Sequence, residues 1–79
     1  MAIYKYEKFL QNSDDTSFDF TEAAGDRVAI GGIYRCIDCG LEIAVADASC
    51  LPAREEHAHP GKQSETRWLP IVLTRIEKA

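Results

Sequence analysis

The sequence predicts a small, mainly β domain organised around a tight pair of cysteines. Three observations carry that prediction. Runs rich in β-branched and aromatic residues recur at 33–37, 41–46 and 66–74. Glycine and proline punctuate the intervals between them. Cys36 and Cys39 stand two residues apart at the end of the first run, with Gly40 directly after. That spacing is one half of a metal-binding knuckle, a turn that aims two thiolates at one point.

The totals fit a chain that needs such a staple. Seventy-nine residues allow one domain, and a domain of that size buries a thin core. The hydrophobic fraction of 46% is that of a globular protein, which argues against wholesale disorder. Three cysteines is an odd number and fits poorly with a secreted disulfide framework. No charged leader with an apolar run opens the chain, and no window approaches eighteen apolar residues. The expectation is a soluble cytoplasmic protein with no membrane segment. Residues 1–26 hold six acidic and two basic side chains, while the remainder is balanced, so the net charge of −4 resides in the first third. An acidic chain without a basic stripe lacks the electrostatic footprint of phosphate-backbone binding, which points to protein rather than nucleic acid as partner.

In chain order, Ile3, Tyr6 and Leu10 fall at near-helical spacing with Phe9 beside them, while Tyr4 and Tyr6 fit strand alternation equally well; the reading taken is a short helix ending near Asn12-Ser13. These aromatics are expected to cover the thin core. Asp14 and Asp15 belong to a solvated turn rather than an acid/base pair, because nothing nearby would desolvate them. Phe18-Asp19-Phe20 alternates as a strand does, with both rings on one side. Arg27-Val28-Ala29-Ile30 is a short extended piece between glycine-marked loops. The first strand, 33–37, enters the knuckle, and Gly40 supplies the positive φ that doubles the chain back into 41–46. Residues 54–61 start as a helical turn and stop at Pro60-Gly61. In the last strand, strict alternation puts Arg67, Leu69, Ile71 and Leu73 on one face and Trp68, Pro70, Val72 and Thr74 on the other. Pro70 has no N–H for a ladder, so that strand lies at an edge or carries a bulge.

Two strands joined through a knuckle open a zinc ribbon. The fold class expected is a three-stranded antiparallel sheet with metal knuckles, rubredoxin-like, over 32–79, with residues 1–31 an extension packed on it. A structural zinc site takes four ligands in a tetrahedron. Cys36 and Cys39 are one pair. His57 and His59 can be the other if the backbone there is extended, since residues i and i+2 then project to the same side, and Pro60 disfavours helix at His59. The rival set takes Cys50 with one histidine, and Cys50 can equally be a small core residue. Iron in place of zinc is weakened because only three sulfur ligands exist. Glu55 and Glu56 lie near enough to serve a catalytic metal, but four candidate ligands close the site, so the chain is read as a non-enzyme.

Gly32-Ile-Tyr-Arg-Cys-x-x-Cys-Gly-x-Glu42, Leu51-Pro52, the histidine cluster 57–59 and Arg67-Trp68 resemble the protein L family of short bacterial zinc-ribbon proteins. Tyr4-x-Tyr6-Glu7-Lys8-Phe9 and Ser13-Asp14-Asp15 are similar to that family's N-terminus. The resemblance implies a ribbon fold and a metal at Cys36, Cys39 and the His57/His59 cluster. The function expected is a metal-stabilised protein-interaction module. Two alternatives stand beside it: a thiol redox protein using Cys36 and Cys39, and a nucleic-acid-binding ribbon with Arg35, Lys62, Arg67 and Arg75 gathered beside Trp68.

Overall fold

The computed structural model describes residues 1–53, 57 and 66–75. Its centre is a four-stranded antiparallel sheet built from β1 (Glu22–Ala23), β2 (Gly32–Cys36), β3 (Glu42–Val45) and β4 (Arg67–Leu73), in the order β1-β4-β2-β3. The three expected strands are present, each end one residue from that read from the sequence. β1 joins them from the segment expected to be an extension. It pairs Glu22 with Trp68 and Ala23 with Arg67, and so covers only the start of β4.

Pro70 is accommodated in an inner strand by a bulge. Tyr34 pairs with Pro70 and Ile33 with Val72, so Ile71 is the extra residue. Arg67 turns its carbonyl toward β2, where it accepts from the Ile37 N–H at 3.1 Å. Alternation then directs Leu69 to β2 and the Pro70 nitrogen to the opposite side, beyond the reach of β1, where no ladder bond is lost. The bulge also corrects the expected faces. Beyond Ile71 the parity inverts, so Leu73 joins Trp68 and Pro70, and Val72 lies with Leu69. Gly32 permits the close approach of β2 and β4, because a Cβ there would collide with the Val72 carbonyl.

One face of the sheet holds the core. Tyr34, Cys36 and Trp68 are buried on it, with Ile43, Val45 and Leu73 packed around them, and Val28 and Leu51 close over the top. The covering loops are held by backbone hydrogen bonds: Val28 N–H to Ser49 C=O at 2.9 Å, Leu51 N–H to Asp26 C=O at 2.8 Å, and Gly25 N–H to Pro52 C=O at 2.9 Å. Residues 27–30 form no strand; Arg27 and Cys50 make an isolated bridge instead.

The N-terminal third departs most from expectation. The helix expected to end near Asn12-Ser13 is a single 3-10 turn, Glu7–Phe9, whose N-cap Tyr6 offers no side-chain hydrogen bond. Its apolar residues do not cover the core: Ile3 is 92% exposed and Phe9 74%. Tyr6 and Phe9 instead pack edge to face, with the Lys8 ammonium over both rings. The alternation at 18–20 also fails. Thr16–Asp19 is a second 3-10 turn, fixed by the Asp15 carboxylate accepting the Ser17 N–H at 2.8 Å.

Candidate metal centre

The site is assembled where β2 ends. Cys36 closes the strand, its N–H donating to the Leu41 carbonyl at 2.8 Å. The chain then reverses, and the Gly40 N–H returns to the Cys36 carbonyl at 2.8 Å. Gly40 has φ +80°, a conformation that other residues adopt only with strain. A Cβ there would also lie 2.8 Å from the Arg35 guanidinium. That guanidinium packs across the turn and pairs with Glu42 at the start of β3. The Cys-x-x-Cys-Gly sequence therefore forms a knuckle that presents both sulfurs from one reversal. Cys36 is fully buried and Cys39 exposed, and neither is in a disulfide.

His57 approaches from the downstream segment. Its Nε2 is 3.4 Å from Cys39 Sγ, and its ring packs on Trp68 with centroids 5.1 Å apart. Thr66, buried where β4 begins, directs its hydroxyl to the His57 carbonyl at 3.5 Å. The Cys36 and Cys39 sulfurs and a His57 ring nitrogen all lie within 4.8 Å of one another. Zn–S and Zn–N bonds of about 2.3 and 2.0 Å at tetrahedral angles place sulfur and nitrogen roughly 3.5 Å apart. The 3.4 Å separation is close to that edge, and the three residues could hold a metal ion.

Of the sequence-predicted ligands, Cys36, Cys39 and His57 come together. His59 lies outside the described residues, as do the expected helical turn at 54–61 apart from His57, and the connector at 62–65. Cys50 is exposed, engaged in its bridge with Arg27, and not a member of the three-residue group.

Trp68 is a neighbour that sequence reasoning did not place at the site. It stands directly across from Cys36 in the β2–β4 register and is fully buried. Among the described residues its Nε1–H has no hydrogen-bond partner, and leaving such a group unmet costs about 1–3 kcal/mol. Only the strand register reveals this neighbour. Thr66, the other unpredicted contact, had no sequence signal at all.

Three of the basic residues expected beside this ring are engaged with other groups. Arg35 pairs with Glu42, Arg67 bonds the Thr21 side chain and carbonyl at 2.9 Å each, and Arg75 pairs with Asp47; Lys62 lies outside the described residues.

Comparison with known proteins finds a relative. The chain is 40% identical over 78 residues to "Protein L" of Escherichia coli, covering 94% of this chain and 88% of the relative. No family model matches the chain, and no solved structure matches it significantly.

Proposed function

The chain belongs to the Protein L family, and on that premise we propose that it is a zinc ribbon whose metal is structural and whose role is to bind another protein. One observation carries the metal reading: two thiols from a single knuckle and an imidazole from a distant segment converge at ligand spacing. Cys36, Cys39 and His57 would hold the ion, with His59 the fourth ligand by its place two residues on. The group supplies folding free energy rather than chemistry. Zinc binding to small domains amounts to roughly 10–16 kcal/mol, as much as the whole net stability of a domain, about 5–15 kcal/mol. Reduced thiols are required, and the cytoplasm keeps them so.

Support for a protein partner comes from the N-terminal segment. Ile3, Tyr4, Tyr6, Phe9 and Phe20 are all more than half exposed, beside Glu7, Asp14, Asp15 and Asp19. Apolar rings displayed among carboxylates suit a partner that offers apolar surface edged by cations. Little favours the two alternatives. Trp68 is too deeply buried to stack on a base. The cysteine pair sits on a strand-to-turn reversal, whereas a redox thiolate is activated at a helix N-terminus.

Elemental analysis of purified protein should give one zinc per chain, and a strong chelator should abolish the cooperative thermal transition seen by circular dichroism. Metal-free protein that melts at an unchanged temperature would refute the structural role. For the partner, the double variant Tyr4→Ser, Phe9→Ser should keep its zinc and its melting temperature while losing quantitative co-purification of the bound protein.

A further inference from the structure

We propose that the Trp68 indole Nε1–H is the hydrogen-bond donor to the Cys36 thiolate when that sulfur is bound to metal, making Trp68 a positioning residue of the centre. This rests on the metal reading above. Trp68 and Cys36 are direct cross-strand partners, which sets their Cβ atoms about 4.5–5.5 Å apart on one face of the sheet. Both are 0% exposed, so water cannot serve either group. The indole ring also packs against His57, whose Nε2 lies 3.4 Å from Cys39 Sγ. Trp68 is thus held against both halves of the donor set.

Within that enclosure its N–H has no partner among the described residues. Indole nitrogen only donates, and a buried one ordinarily finds an acceptor. A protonated thiol is a weak acceptor, whereas a thiolate carries charge and accepts far better. A cysteine that ligates metal is a thiolate. The unmet donor and the buried sulfur across the strand pair are therefore complementary once that sulfur is held by metal. Outer partners of this kind fix a ligand's orientation and moderate its charge, and their loss weakens metal binding by about 10–100-fold.

The chain has a single tryptophan, so its indole resonance needs no assignment by mutation. In protein loaded with ¹¹³Cd, the indole proton should show scalar coupling to the metal through the sulfur and should move downfield of its position in chelated protein. Trp68→Phe, which keeps an aromatic ring without the N–H, should bind Co²⁺ on the order of tenfold more weakly and shift the thiolate-to-cobalt charge-transfer band. An uncoupled indole proton at the same position with and without metal would overturn the proposal, as would a Trp68→Phe protein with unaltered Co²⁺ affinity and band. The coupling experiment uses the native chain and decides the matter even if the variant does not fold. Should the native chain take up none of these metals, the metal reading falls, and this inference with it. Metal uptake without coupling removes this inference alone.

Discussion

The two faces of the sheet are built from similar numbers of apolar residues and have opposite fates. On one, Tyr34, Cys36 and Trp68 are sealed under Val28 and Leu51. On the other, Ile33, Leu69, Ile71 and Val72 stay half-buried. The N-terminal segment does approach that side. The Met1 amino group lies 3.3 Å from Glu42, and Tyr4, Phe9 and Leu10 line an open groove with Ile71, Val72 and Leu73. What differs is the fastening. The closed face is covered by loops whose backbone groups bond one another across 21 to 27 residues of chain, whereas the described turn of the arm bonds only to itself. Apolar content alone does not make a core; the cover must also be tied down.

That contrast is broken most directly by paired truncations. Trp68→Ala should cost about 3–5 kcal/mol, while Phe9→Ala should stay within about 0.5 kcal/mol, both read from urea melts of metal-loaded protein. Equal losses would mean the arm is part of the core after all.

Acid should act at both ends of β3, and more gently. Burial pushes the Glu42 carboxyl up, but hydrogen bonds from the Met1 amino group and Arg35 outweigh it and hold it below the ordinary range. Asp47 is held low by the Gly31 N–H and by Arg75, against a smaller upward push from burial. A carboxylate depressed in the folded state contributes stability above its unfolded pKa, near 4, and loses it as pH falls through the lower folded value. Asp47→Asn keeps an acceptor for Gly31 and removes the titration, so its stability should fall less steeply below pH 4 than that of the native chain. Parallel acid limbs would refute the assignment.

A smaller effect sharpens the account of the closed face. Ala48, in the turn leading to Cys50, has φ +60°. Ala48→Gly should relieve that conformation and raise stability by about 1 kcal/mol, measurable as a shifted urea midpoint. The smallest effect belongs to Cys50→Ser, at an exposed sulfur outside the donor group. It should change stability by less than about 0.5 kcal/mol and leave the metal content at the native value. Loss of metal would restore Cys50 as a ligand.

Much of this was legible from residues alone, for identifiable reasons. The knuckle announces itself because Cys-x-x-Cys-Gly is a local code, complete within five residues, and the strands β2, β3 and β4 carry their own β-rich signal. His57 was legible as a candidate because soft-metal ligands are scarce in this chain. β1 was invisible, since two residues cannot display alternation. The faces of β4 were misread beyond Pro70 because a bulge is a property of two strands in register, and no single strand encodes it. Trp68 escaped notice as a neighbour of the sulfurs for the same reason. The arm misled because near-helical spacing of Ile3, Tyr6 and Leu10 says which residues could share a stripe, not whether any surface is held there to receive it.

The inserted residue at Ile71 has a consequence for how this chain can vary. Tyr34 meets Pro70 and Ile33 meets Val72 whether or not a residue stands between those two partners. Excising Ile71 would close the bulge and keep Leu73 opposite Gly32, with the Thr74 N–H still placed to latch onto the Gly31 carbonyl, 2.9 Å away here. The strand can therefore lose a residue at this one count without turning its sides about, a freedom that a regular ladder does not give.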